Sequence, residues 1–182
     1  MPCPNPRRPS GFSLIELLVG VAIVALLLAL ALPSLGAARS AATSMEAMSR
    51  LQDSLTEAQR TSLVHRSEVV LCPSADGRTC SGDTVWEQGW VVFQDRDGNR
   101  APDAGLGLLR REPALDAGLR LRTSAGRPRL VIQPRGGAAA GSNATFTLCD
   151  ARGVTRASVL VIANSGSVRR EHLPAGRDAV CP

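Results

Sequence analysis

Gly11-Phe12-Ser13-Leu14-Ile15-Glu16, followed by an uncharged run from Leu17 to Leu32 and then Pro33, is the stretch on which the fold turns. Glu16 is the sole ionisable side chain between Phe12 and Leu32. A helix rises about 1.5 Å per residue, so this segment reaches across the roughly 30 Å of a bilayer's hydrocarbon core. A carboxylate near the front of such a segment is costly in lipid and marks a place where a partner group is expected. An ordinary secretory signal has a shorter apolar core and a small-residue cleavage site. Ala29-Leu30-Ala31 imitates that site, but the core is too long and Glu16 lies at the wrong end. A plain single-pass anchor accounts for the length and leaves Glu16 unexplained. Arg7 and Arg8 precede the run and few basic residues follow it directly. That asymmetry places the N-terminus in the cytoplasm and everything beyond about residue 35 outside the inner membrane.

The chain has 182 residues, which leaves room for one domain beyond the anchor. Its net charge is +5, and every basic side chain apart from the two histidines is an arginine. A mildly basic balance is weak evidence by itself for a nucleic-acid partner. Cys3 lies ahead of the apolar run, and Cys72, Cys80, Cys149 and Cys181 lie beyond it. Four cysteines in an exported domain suggest disulfides, in any of three connectivities. We favour Cys72–Cys80, which closes a short loop, and Cys149–Cys181, which staples the C-terminal tail to a core strand. A zinc site is not supported: there is no Cys-x-x-Cys, and His65 and His172 are far apart in sequence.

Past Pro33, apolar or small residues recur at Leu35, Ala38, Ala42, Met45, Met48, Leu51, Leu55 and Ala58. Steps of three and four residues give one apolar helical face. The spacing predicts one long helix from about Phe12 to about Val64, ended by His65, with its second half packed on a sheet. Short strands then follow, separated by Gly, Asp, Asn and Pro. They are expected at Glu68–Cys72, Gly89–Gln94, Leu106–Arg111, Leu119–Arg122, Arg129–Gln133, Ala144–Cys149, Ser158–Ala163 and Val168–Arg170. The fold class is therefore α+β, a long N-terminal helix packed on an antiparallel β-sheet head. Trp86 and Trp90 are read as core, since indoles mostly bury.

The N-terminal stretch resembles a type IV prepilin, in which a basic leader ends in Gly before an aromatic residue, a Glu and a long apolar helix. The resemblance implies cleavage between Gly11 and Phe12, N-methylation of Phe12, and pairing of Glu16 with the N-terminal amine of a neighbouring subunit. It divides the chain into a leader at 1–11, a transmembrane and assembly segment at 12–35, and a periplasmic or extracellular head at 36–182. Four further stretches resemble the FimT/FimU/GspH group of minor pilins and pseudopilins. They are Val70–Gly77 with Cys80, Trp86 with Gly89–Asp95, Phe146–Asp150 with Gly153, and Val159–Val168. The expected function is a minor pilin of the initiating or tip complex, held in the inner membrane with a cytoplasmic N-terminus and then carried into the periplasm and the extracellular pilus. A GspH-like pseudopilin of type II secretion is the alternative. The implied partners are the major pilin, other minor pilins, the prepilin peptidase and the inner-membrane assembly platform.

Some FimT-like pilins bind double-stranded DNA during natural transformation through a Gly-Arg-x-Arg motif near the C-terminus. Here the aligned stretch is Gly166-Ser167-Val168-Arg169-Arg170, so Ser167 replaces the first arginine. The literal pattern occurs in another turn, Gly126-Arg127-Pro128-Arg129. Arg169, Arg170 and Arg177 are candidate phosphate contacts, with Arg152 and Arg156 if folding brings them close. Such contacts would be insensitive to sequence and steeply salt-dependent.

Asp95-Arg96-Asp97-Gly98-Asn99 with Asp103 has the alternating oxygens of a Ca²⁺ loop but Leu106 where the distal Glu belongs, and it is equally good turn chemistry. We read it as a turn and expect no metal and no cofactor. No nucleophile elbow, phosphate loop or metal-spaced histidine pair is present, so association and not turnover is expected.

Overall fold

The computed structural model describes residues 11, 13–103 and 107–172, and the side chains of 31–34 and 172 are not part of that description. Among the described residues one helix, α1 (Leu14–His65), precedes eight strands. These are β1 (Glu68–Pro73), β2 (Trp90–Asp95), β3 (Leu108–Glu112), β4 (Arg120–Thr123), β5 (Leu130–Ile132), β6 (Ala144–Cys149), β7 (Ser158–Ile162) and β8 (Val168–His172). Every expected strand is present, with no end moved by more than two residues and β6 matched at both ends. The helix begins two residues later than its expected start at Phe12 and runs through Pro33 without a break.

Contacts divide the chain into two units, Met1–Arg39 and Ser40–Pro182. In the first, the large apolar side chains described along α1 are exposed, from Leu14 at 77% to Leu30 at 69%. A helical segment whose described apolar side chains are exposed suits lipid or other helices.

In the second unit the rest of α1 is amphipathic. Ala47, Met48, Leu51, Leu55 and Ala58 are buried along one face, with Ser44, Ser54 and Ser62 beside them. Two four-stranded antiparallel sheets pack on that face. Sheet 1 has the order β3-β2-β1-β5 and sheet 2 the order β4-β6-β7-β8. One core joins them: Val69, Leu71, Trp90 and Val92 from sheet 1, and Leu121, Phe146, Leu148 and Leu160 from sheet 2. Trp86, in the connection before β2, stacks edge-on against Phe146 at 4.8 Å between ring centres. Full burial of a large apolar side chain contributes about 1.5–3 kcal/mol, so the two tryptophans anchor this core as expected. β1 and β2 are buried on both faces, because Val70, Cys72, Val91 and Phe93 form a second cluster with Val131 and Ala139.

Ion pairs lock α1 to the edge strand β3. Arg50 Nε donates to Glu112 Oε2 at 2.7 Å, and Arg110 bridges Glu57 at 2.9 Å and Glu112 at 3.0 Å. The Arg50 guanidinium also lies 5.6 Å from the Trp90 ring centre.

Candidate functional site

The front of α1 is closed by a reciprocal cap. The Glu16 N–H donates to Ser13 Oγ at 3.3 Å, and the Ser13 N–H donates to Glu16 Oε2 at 3.3 Å. The Ser13 carbonyl then accepts the first helical bonds, from Glu16 N at 3.1 Å and Leu17 N at 3.2 Å. Ser-x-x-Glu is the capping-box pattern, and it satisfies N–H groups that would otherwise be orphaned. Gly11 and Ser13 lie outside the helix and are exposed. Phe12 and residues 1–10 of the expected leader lie outside the described residues. The sequence carried the signal for this cap in Ser13 and Glu16 three residues apart, although our sequence reading took Glu16 only as a charge.

Four of the five candidate arginines, Arg152, Arg156, Arg169 and Arg170, are among the described residues, and they differ in their surroundings. Arg152 is committed to Asp150, with Nη2 2.6 Å from Oδ2 and Nε 3.0 Å from both oxygens. Asp150 is 4% exposed and also accepts the hydroxyl of Ser44 on α1. Hydrogen bonds from Arg152 and then Ser44 outweigh burial and hold the Asp150 carboxyl down at about 2, while the same pairing raises Arg152. Arg156 sits exposed on the short 3-10 turn Val154–Arg156. Arg169 and Arg170 share β8, and strand alternation turns them to opposite faces of sheet 2. Arg170 Nη2 donates to Gln52 of α1, whereas Arg169 pairs with Glu171 at 2.6 Å on the outer face. Arg177 lies outside the described residues.

The turn before β8 depends on Gly166. Its φ is +84°, and a Cβ there would collide with the Gly136 carbonyl. Gln59 Nε2 donates to the Gly166 carbonyl, tying this turn to α1. The other arginine motif is pinned as well. Arg127 donates to the Asn143 carbonyl at 3.0 Å and to Asn143 Oδ1 at 3.4 Å, and Arg129 reaches the Arg100 carbonyl at 3.3 Å. Arg127 lines an open cleft of about 210 Å³ with Ser124, Asn143, Thr145 and Val161.

The acidic loop spends its oxygens on itself. Asp95 accepts the N–H groups of Gly98 at 2.9 Å and Arg100 at 3.1 Å. Asp97 accepts Asn99 N at 3.1 Å and Asn99 Nδ2 at 2.6 Å, and Asn99 Oδ1 accepts the Ala101 N–H at 2.6 Å. Asp103 is exposed, and Leu106 lies outside the described residues. Among the described residues no group of three or more His, Cys, Asp or Glu is arranged to hold a metal.

Cys72 and Cys80 are bonded, with Cα atoms 5.5 Å apart. Within their loop, Asp76 accepts Thr79 N at 2.8 Å, Thr79 Oγ1 at 2.7 Å, Arg78 N at 2.7 Å and Ser74 Oγ at 2.9 Å. These bonds, led by the Thr79 N–H, hold its carboxyl well below the usual carboxylate range. Cys149 is disulfide-bonded as well, and its expected partner Cys181 lies outside the described residues.

A long helix with a free apolar front half, and with two antiparallel sheets on its second half, defines the class: this is a pilin-like protein. A family model described as type II transport protein GspH matches residues 47–166, and the prokaryotic N-terminal methylation motif matches residues 6–32. The chain belongs to the GspH family and is a minor pilin or pseudopilin of the GspH/FimT/FimU kind. Two crystal structures of the type IV minor pilin FimU from Pseudomonas aeruginosa PAO1 share the fold, each with a TM-score of 0.54. They are 18% and 19% identical, covering 73% and 70% of this chain and 88% and 91% of FimU. The minor pseudopilin EpsH of the Vibrio cholerae type 2 secretion system matches at a TM-score of 0.48 and 12% identity, over 73% of this chain and 96% of EpsH. No curated protein matches the chain. The families matched are structural pilins and not enzymes, in keeping with a role in association.

Proposed function

We propose that the chain is a minor type IV pilin that enters a pilus through its N-terminal helix and acts where assembly is initiated or at the tip. The observation that carries this is Glu16: one carboxylate on a helix whose surrounding side chains, Leu14, Ile15, Leu17 and Leu18, are all exposed and apolar. In lipid that carboxylate favours any site that offers a cation. Residues 1–11 act as a leader removed at Gly11–Phe12 by the prepilin peptidase, and Phe12 is then methylated. The new amine of a neighbouring subunit pairs with Glu16 and sets axial register, while residues 12–35 exchange lipid for the helices of the major pilin and other minor pilins at the assembly platform. Residues 36–182 form the head outside the inner membrane, with Cys149–Cys181 fastening its tail. The experiment replaces Glu16 with Ala and measures processing and incorporation separately. Processing is retained and incorporation is lost; normal incorporation would remove the role assigned to Glu16.

Two further readings have a specific observation behind each. The GspH family match favours a pseudopilin of type II secretion, which uses the same helix and the same processing. Deletion of the gene separates the two, since a pseudopilin is needed for secretion and a pilin for piliation. The exposure of Arg169 and Arg170 on an edge strand favours contact with double-stranded DNA for uptake. Arg152 takes no part in that reading, because Asp150 already holds it. A mobility-shift titration of the detergent-solubilised chain at several salt concentrations tests it. A shift that weakens steeply with salt and on replacing Arg169 and Arg170 supports DNA contact, and no shift at low salt ends it.

A further inference from the structure

We propose that the cleft beside Arg127 is an oxyanion site, and that the group it takes is phosphate, free or as an ester. The site is separate from the helix that drives assembly, and it does not depend on whether the chain serves a pilus or a secretion system.

The cleft lies on the outer face of sheet 2. The Ser124 N–H donates to the Thr145 carbonyl at 3.0 Å, which carries the pairing of β4 and β6 one residue further. Phe146 points into the core, so Thr145 before it faces outward, and Thr145 stands opposite Val161 of β7. Ser124, Arg127, Asn143 and Thr145 supply the polar lining, and Val161 supplies part of the apolar floor. Each of these four polar side chains can donate a hydrogen bond. No carboxylate is among the lining residues. A cleft furnished with donors and one cation suits an anion.

Arg127 is held ready for that role. Its N–H donates to the Ser124 carbonyl at 3.2 Å, and its own carbonyl accepts Thr123 Oγ1 at 2.8 Å. The same Thr123 hydroxyl accepts the buried Trp86 indole N–H at 3.3 Å, so the turn is tied to the core. The side chain is fixed from the other side of the cleft by Asn143. Nε donates to the Asn143 carbonyl at 3.0 Å and Nη2 to Asn143 Oδ1 at 3.4 Å, while Nη1 reaches the Gly126 carbonyl at 3.5 Å. Three of five N–H groups are thus engaged and two remain for a ligand. An arginine ordered before binding loses less entropy when the ligand arrives.

Charge singles out the same residue. Arg122 and Arg169 also lie on the outer face of sheet 2, and Glu87 and Glu171 neutralise them. Among the described residues no carboxylate pairs with Arg127, whose bonds all go to neutral oxygens. The guanidinium fork by itself satisfies the two oxygens of a carboxylate. The hydroxyls of Ser124 and Thr145 are further donors in the same cleft, which a phosphate can use because it has more oxygens to offer.

The test is a titration of the isotope-labelled full-length chain in non-ionic detergent, at neutral pH and constant ionic strength. The probes are inorganic phosphate, dimethyl phosphate and acetate, read by the amide resonances of Ser124, Arg127 and Thr145. Phosphate shifts these resonances saturably, and acetate binds several-fold more weakly. Arg127→Gln weakens phosphate binding by about tenfold or more, as loss of a charge-assisted bond requires. Thr145→Val, a change on the outer face that spares the core, weakens it about fivefold, the factor for one neutral hydrogen bond. Arg169→Gln binds as wild type. Equal affinity for dimethyl phosphate identifies a diester as the ligand, a preference for inorganic phosphate identifies the free ion or a monoester, and both support the site. The absence of a saturable shift at these residues overturns the proposal. So does acetate binding as tightly as phosphate, wild-type affinity in both Arg127→Gln and Thr145→Val, or an equal loss in Arg169→Gln, which would mean diffuse surface charge.

Discussion

The indole N–H of Trp90 donates to the hydroxyl of Ser54, 3.0 Å away, and both side chains are sealed from solvent. Ser54 in turn donates to the Arg50 carbonyl one helical turn back, at 2.9 Å. A serine in the buried stripe of a helix would be a defect without that pair of bonds. Here it lets the largest side chain of sheet 1 come in against α1 with its polar atom satisfied.

Ser54→Ala therefore leaves a buried indole N–H without an acceptor. The expected loss is about 1–3 kcal/mol of stability, read as a lowered midpoint in denaturant unfolding of the solubilised chain. Adding Trp90→Phe to Ser54→Ala removes the orphaned donor, so the double variant costs less than the two single changes summed. Additive losses would show that the bond contributes nothing.

Asp150 makes stability depend on acid pH. Its carboxyl sits at about 2 in the folded chain against 3.8 ordinarily, so the folded state holds fewer protons than the unfolded state between those values. The contribution is complete above about pH 4 and fades as pH falls toward 2, amounting to roughly 1–2 kcal/mol after allowing for solvent around Arg152. Asp150→Asn should lose this stability at neutral pH and flatten the acid limb of a plot of unfolding midpoint against pH. A variant whose acid limb matches wild type would exclude Asp150 as the source.

Gly166→Ala forces a Cβ onto a left-handed backbone and into the Gly136 carbonyl. Strain of this kind costs on the order of 1–3 kcal/mol, and the collision adds to it. The melting temperature should fall by several degrees. Gly98→Ala is the control, since its φ is also positive, at +79°, but the space around it is open. Gly166→Ala should be the more damaging of the two, and equal losses would mean that close approach to Gly136 is unimportant.

The Cys72–Cys80 bond spans eight residues of sequence. Closing a loop of that size restricts the unfolded chain by about 2.5 kcal/mol in the chain-entropy account. Replacing both cysteines with alanine should lower stability by about that amount without unfolding the sheets, as measured by far-ultraviolet circular dichroism and chemical denaturation. Retained stability would mean that the Asp76 hydrogen bonds hold the loop alone.

Local chemistry was readable along the chain because helices and strands announce themselves over short spans. The three- and four-residue steps from Met48 to Ala58 fall on the buried face of α1, whereas Leu35 and Met45 on the same expected stripe are exposed, and Asp, Gly and Pro breaks separate the strands. In the Asp95 loop the Asp and Asn side chains accept N–H groups within a few residues, as turn chemistry in the sequence suggested. What the linear order left open was mostly contact at a distance, together with a few local pairings such as the Ser13–Glu16 cap. Arg152 looked free in sequence, and its capture by Asp150 is local, but Asp150 is held in place by Ser44 more than a hundred residues earlier. Gly166 looked like the glycine of a binding motif, and folding shows that a second glycine's carbonyl leaves no space there for a side chain.

Periodicity was thus enough to mark a membrane-length helix and an antiparallel head, because each depends on neighbours within one or two turns. Tertiary structure alone decided that eight strands separate into two sheets around one core, and which arginines are spent on partners within the chain. Strand pairing and ion pairing across long separations are settled by which partners fit once the chain is compact, and the linear order of residues carries no distance to say so.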